Sequence, residues 1–469
     1  MQTTRPTIRS ASFRPLSGSP QNDLTFAGML FFLLLHAPLM VIFRAVPALA
    51  TGHSILVVLI GLYYLFRDKD PMRVVFVLAY ISSAELMWRG VEASLVWEYG
   101  KYATLLLVIL MMLKYRLFTR GLVWPLLFVA LLVPGILIMP AFDRQAVSYE
   151  LAGPVTLAVL TLALNHIEFK RTDLQRLFAA ILAPAVAMAA LVVVMLASND
   201  IQFYTQGENE LITAYIGANQ VSSTLSWGAL AAFFYVFVFG WDKRLRNLML
   251  FGFISLLAIS ILTFSRAGLW NAIGAMIVSL FFLVRDRRRF IFVQGLLLVA
   301  GLATYFIVYP LLVDLTDGAV LARFSDFNST GRDRLAISDY QTFTENPVFG
   351  VGVGQARYHR EYLMDRFKNN HTEYTRLLAE HGIFGLAVIL LLLGVPMTQV
   401  FSSRPPLSKG ISIGLIFWAL FYLLHSATRT VAPSFAFGLA SARFLPEGET
   451  LDETGAPVNK SPVARARFR

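Results

Sequence analysis

The chain has 469 residues and a formal net charge of +11, with 57% hydrophobic residues against 15% charged. A soluble domain of this size needs far more charged surface, so the composition excludes one and makes the bilayer the main solvent. Cysteine is absent, which excludes disulfide staples. The basic residues are spread among short connections rather than gathered in one domain, which argues against nucleic acid as a partner.

In chain order, a polar tail (residues 1–23) precedes apolar runs near 24–43, 51–66, 73–90, 99–113, 121–139, 150–166, 176–197, 213–240, 247–263, 267–284 and 290–311. Three more follow at 383–401, 410–425 and, weaker, 430–445. About 20 apolar residues cover a bilayer core of roughly 30 Å, so each run reads as a membrane-spanning helix. The first is too long for a signal-peptide core and reads as an uncleaved helix, although Ala48-Leu49-Ala50 follows it. Alternating barrel strands would not give continuous apolar runs. The expected fold class is all-α, a polytopic transmembrane helix bundle of about 12–14 spans.

Every second connection is basic, as in Arg67, Lys69 and Arg73, or Arg285, Arg287, Arg288 and Arg289, or Arg404 and Lys409. The intervening short connections carry few charges, Arg44, Arg89, Lys101, Arg144, Arg266 and Arg429. The positive-inside rule makes the first set cytoplasmic, with both termini inside. One long polar segment, 312–382, then falls outside, between helices 1–11 (24–311) and the C-terminal helices (383–445), which a cytoplasmic tail (446–469) follows. A long ordered-looking loop is usually functional. Leu335, Tyr340 and Phe343 recur at helical spacing, Asn346-Pro347 ends that helix, and Gly350, Gly352 and Gly354 make a flexible turn. The segment reads as a folded, mostly helical lid.

Within it, Asn370-His371-Thr372-Glu373 precedes Tyr374, Leu377 and Leu378 on one helical face. Asn370 is the expected cap, with Glu373 reaching back to it. His371 then lies in the first turn, where the helix dipole favours a neutral imidazole beside an anion; the plainer reading is a surface histidine that tolerates a helix start. Arg266 sits at a tight hairpin between two spans and needs an anionic partner. Arg323, Arg332, Arg334 and Arg376 add guanidinium groups suited to phosphate oxygens. Arg376 is equally placed for ion pairs with Glu373 and Glu380. Glu85 and Arg89, at i, i+4 on the third span, are a functional candidate or a self-neutralising pair. Asp68-Lys69-Asp70 lies in a very short loop with no nucleotide-binding domain, and the glycine series follows no βαβ strand, so neither signals a nucleotide site. No clustered His and acidic spacing points to a metal.

These motifs together resemble the O-antigen ligase and polysaccharide polymerase superfamily. The resemblance runs through Ser265-Arg266-Ala267-Gly268, Gly331-Arg332, Glu345-Asn346-Pro347-Val348-Phe349-Gly350-Val351-Gly352, His371-Thr372 and Gly382-Ile383-Phe384-Gly385. Thr372 stands where the family usually has Asn, Ser or Gln. The resemblance implies metal-independent glycosyl transfer without a cofactor, on the periplasmic side of a bacterial inner membrane. A glycan passes from an undecaprenyl diphosphate carrier to an acceptor hydroxyl, on another lipid-linked repeat unit (a polymerase) or on lipid A core or a protein (a ligase). It implies His371 as base or acceptor-positioning residue and Arg266 with Arg323 or Arg332 as diphosphate binders. Arg334, Arg376, Glu373, Glu85 and Arg89 take supporting positions, and other polysaccharide-assembly proteins are expected partners. Nothing in the sequence marks a dedicated acceptor domain, which favours the polymerase. A transporter of lipid-linked oligosaccharide is the reading from another class, and it predicts charges along a central path through several spans.

Overall fold

The computed structural model describes residues 25–119, 121–198, 209–239, 243–283, 304–325, 332–361, 372–402, 404–444 and a few isolated positions beyond these. Nearly all of them are helical, and the strands are two-residue pairs. In lipid the backbone must bond to itself, and helices do so within each segment. The protein is an all-α, multi-pass membrane helix bundle.

The first two helices, α1 (Phe26–Ala45) and α2 (Pro47–Arg67), are separated only by Val46. Pro47, which has no N–H to continue α1, supplies the first position of α2. There follow α3 (Met72–Arg89), α4 (Tyr99–Tyr115), the short α5 (Val123–Ala130) and α6 (Val133–Leu137), then α7 (Arg144–Leu164), α8 (Arg171–Ser198), α9 (Ala218–Phe239), α10 (Lys243–Leu262) and α11 (Arg266–Leu283). Here α8 and α9 form the centre: α8 packs on α1, α3 and α9, and α9 also packs on α10 and α11. Among lipid tails, association rests on close packing, which small residues permit. An added Cβ on Gly268 of α11 would collide with the Ser222 carbonyl of α9, and one on Gly228 with Ala185 of α8. The peripheral helices turn Phe31, Leu34, Leu59 and Phe66 outward, as a lipid-facing surface requires.

Beyond a short π-helical turn at Thr304–Val308 come α12 (Tyr309–Leu315), α13 (Ala319–Ser325), α14 (Arg332–Glu345) and α15 (Ala356–Glu361). The last three helices are α16 (Glu373–Val400), α17 (Pro406–Ser426) and α18 (Val431–Leu439). The described parts of the segment expected to be a helical lid are mostly helical, interrupted by turns at 316–318 and 346–355. Helix α14 ends at Glu345, before Asn346-Pro347, as expected. Its buried positions are Leu335, Ser338, Asp339 and Thr342, while Tyr340 is exposed. α16 runs from that segment into an apolar span but breaks at Gly382 (φ 59°, ψ −135°), the end of the expected lid.

Among the described residues nine helices are long and apolar enough to cross a bilayer, or ten if Tyr305–Leu315 and Ala319–Ser325, bent by 113°, form one span. Of the fourteen runs of the sequence, the one at 290–311 lies in part outside the described residues, and the others that fall short do so for physical reasons. The run 121–139 is broken into α5 and α6, α4 has only 17 residues, and α3 carries Arg73, Glu85 and Arg89. The last run yields a nine-residue helix, α18, about 14 Å long at 1.5 Å per residue. Past α18 the chain extends into β2 (Arg443–Phe444), which pairs in parallel with β1 (Glu168–Phe169). Arg404 holds this return, donating to the carbonyls of Ala440 (3.2 Å), Ser441 (2.9 Å) and Ala442 (2.9 Å).

A polar chain crosses α1, α2 and α3. Trp88 Nε1, which can only donate, bonds His53 Nδ1 at 3.0 Å. His53 Nε2 is thereby the protonated nitrogen and donates to the Tyr80 hydroxyl at 3.3 Å. Tyr80 donates to His36 Nε2 (3.0 Å), and His36 Nδ1 donates to the Phe32 carbonyl (2.8 Å). Every member is satisfied with both histidines neutral, which removes the cost of placing them among apolar helices.

Candidate active site

The hairpin between α10 and α11 is the centre of a cationic cluster. Phe264 adopts a left-handed φ of 59°, and its carbonyl accepts from Nε of the buried Arg323 at 3.2 Å. Ser265 Oγ donates to Oδ1 of Asn219 (2.7 Å), and Nη2 of Arg332 donates to the same oxygen (3.2 Å). Arg266 is the first residue of α11. Thus one turn and one asparagine gather Arg266, Arg323 and Arg332 from α11, α13 and α14. The cluster forms at the N-termini of α9 and α11, whose dipoles add to its positive field. Such a site suits the oxygens of a phosphate or diphosphate.

The start of α16 is fixed by a second arrangement. Arg376 is fully buried; its guanidinium pairs with Glu373, with Glu380 at 2.8 Å and with Glu150 at 3.4 Å. Glu373 also accepts from the Thr428 amide at 3.2 Å. Thr375 donates to Asp339 of α14 (2.7 Å), so α14 carries Arg332 at one end and grips α16 at its middle. These bonds hold the turn that begins two residues after His371. His371 itself lies outside the described residues.

Glu85 and Arg89 form a third group, paired at 2.6 Å. Glu85 also accepts from the Val431 amide (2.6 Å), capping α18, and Arg89 donates to the carbonyls of Arg429 (3.2 Å) and Trp97 (2.8 Å). The segment Ala427–Val431 is therefore clamped between the Glu373 and Glu85 carboxylates, with Arg429 at its middle. Arg89 also reaches Gln220 (3.4 Å), the neighbour of Asn219, so the third group and the cationic cluster share the first turn of α9. Nearby, outside the helices, burial pushes the Glu98 carboxyl up against the pull of its ion-pair partner Lys101.

The glycine turn is fastened rather than flexible. Val351 donates to the Ala379 carbonyl (2.9 Å), Gly352 to Glu380 (3.1 Å), Val353 to Gly135 (3.0 Å) and Ile383 to Pro347 (2.9 Å). Gly350 (φ 73°) rests on the backbone of Glu380 and His381, and Gly382 on Pro347 and Val348. Neither position has room for a Cβ. The motif Glu345 to Gly352 and the motif Gly382 to Gly385 are thus two halves of one joint.

Several site readings change with the geometry. Thr372 is the N-cap of α16, with no capping side chain among the described residues; Asn370 lies outside them. Glu373 turns to Arg376 and Thr428 instead of reaching back. Arg376 is enclosed by carboxylates, which leaves it holding α16 rather than facing a ligand. Arg334 is exposed on α14. Residues unmarked by motif also build the site: Asn219, Gln220, Asp339, Glu150 and Thr428. The one sequence signal for the first two is a pair of amides opening an otherwise apolar span. Among the described residues no group of three or more His, Asp or Glu is placed to hold a metal.

Comparison with curated proteins finds no match. Residues 251–390 match the family model described as O-antigen ligase. The matched segment spans the 263–266 hairpin, both halves of the glycine joint and the start of α16. Over this segment the chain is similar to the O-antigen ligase family, and its apolar helices make it a multi-pass membrane protein.

Proposed function

We propose that the protein transfers a glycan from an undecaprenyl diphosphate carrier to an acceptor hydroxyl at the outer face of the bacterial inner membrane, and that it is a repeat-unit polymerase. The observation that carries this reading is the gathering of Arg266, Arg323 and Arg332 about the 263–266 turn and Asn219. The acceptor oxygen attacks the anomeric carbon of the donor while the bond from that carbon to the diphosphate oxygen breaks. His371 takes the hydroxyl proton, and the guanidinium groups receive the negative charge that develops on the leaving diphosphate. The products are a longer glycan and free polyprenyl diphosphate. The donor brings its own leaving group, and in this reading the arginine cluster supplies the positive charge that a metal would otherwise bring to the diphosphate. The basic connections support this orientation, with Arg404 and the β1–β2 pair on the cytoplasmic side.

The test of the acceptor uses purified protein and a lipid-linked repeat unit alone. Chain lengthening is the expected outcome. Transfer that requires lipid A core or a protein would instead make it a ligase.

A further inference from the structure

A cavity of about 280 Å³ lies between the α3–α4 connection and the turn before α9. Its walls include Trp88, Trp97 and Tyr215, the carboxylates of Glu85 and Glu92, and Arg89. Trp97 is 49% and Tyr215 70% exposed, so both present ring surface. Ala214 and Tyr215 take consecutive left-handed conformations (φ 51° and 57°), a strained backbone of the kind that persists where the surroundings hold a side chain for a purpose. Trp97 is positioned twice by Arg89, through its carbonyl and through the guanidinium 4.4 Å from the centre of its ring. Arg89 Nε is buried without a hydrogen-bond partner among the described residues.

We propose that this cavity is a saccharide subsite that takes one pyranose ring of the glycan. This rests on the glycosyl-transfer reading above. A pyranose has a face of C–H groups and an edge of hydroxyls. The first packs on the electron-rich faces of Trp97 and Tyr215, and the second donates to Glu92 and accepts from Arg89. An acyl chain would offer no partner to the Glu92 carboxylate or to Arg89 Nε. A second diphosphate would meet Glu92, which repels it, while Arg89 is already paired with Glu85. The volume, just under the about 300 Å³ at which small-molecule pockets begin, suits a single ring. The cavity and the cationic cluster share the first turn of α9 through Gln220 and Asn219, so a glycan seated here lies beside its own diphosphate.

The test compares the native protein with Trp97→Ala, Trp97→Phe and Tyr215→Ala, each confirmed as folded by its thermal midpoint in detergent. With lipid-linked donor, Trp97→Ala and Tyr215→Ala are expected to raise the apparent KM about tenfold with kcat within about twofold, and Trp97→Phe to restore most of the affinity. In parallel, the phosphate-free oligosaccharide released from the host polysaccharide is titrated against tryptophan fluorescence. Saturable quenching is expected with the native protein and its loss with Trp97→Ala. An unchanged KM and unchanged quenching would overturn the subsite and make these rings membrane-interface anchors, and so would a fall in kcat alone. If the native protein transfers nothing, the transfer reading fails, and the fluorescence titration still decides the subsite.

Discussion

Arg376 is enclosed by three carboxylates, so removing it strands them in the protein interior. Breaking a buried pair this way costs about 3–5 kcal/mol. Arg376→Met is therefore expected to lower the thermal midpoint in detergent sharply, and an unchanged midpoint would contradict the structural role. Arg266 and Arg332 predict the opposite pattern. Arg266→Ala and Arg332→Ala are expected to fold normally and to lose about 10²-fold or more in kcat, as for lost donors to a developing anion; turnover assays beside melting curves separate the two patterns. The arginines were legible in the sequence because cations at a hairpin and in a polar loop stand out among apolar runs. Their roles were less legible. Glu373 and Glu380, close in sequence, announced the ion pair of Arg376, whereas Glu150 comes from another helix. Asn219, which binds Ser265 and Arg332, lies 113 residues from the latter.

Two devices set the geometry of the helices. The chain from Trp88 through His53 and Tyr80 to His36 ties α1, α2 and α3 together. Tyr80→Phe deprives His36 and His53 of a partner, with an expected loss of about 1–3 kcal/mol, measured as a lower thermal midpoint; no change would show that the network adds nothing. The glycine joint is the second device. Gly382→Ala puts a Cβ against Pro347 and Val348 at a positive φ, and is expected to reduce both folded yield and transfer. Helix positions were largely readable, since apolar period and length carry them. The breaks were not: α5 and α6 read as one run, and the interlock of the turn at Gly350 with Gly382 depends on a contact between distant segments. α18 was overestimated because apolar residues buried by protein look the same in sequence as residues buried by lipid.

At the scale of the molecule, the bundle follows from composition, and the proposed side of the cationic cluster rests on the basic connections. The natural absence of cysteine makes this directly testable. Ile337→Cys, exposed on α14, is expected to react with an impermeant maleimide added to cells with a permeabilised outer membrane, and Thr119→Cys only after lysis. The reverse pattern would invert the proposed orientation. Metal-free transfer from a lipid diphosphate by His371 and the arginine cluster is decided by one assay: purified protein, undecaprenyl diphosphate-linked oligosaccharide and a chelator, comparing the native chain with His371→Ala and Arg266→Ala. Transfer by the native protein and its loss in both folded variants are expected; full activity in both variants, or no transfer to any acceptor by the native protein, would overturn the proposed mechanism.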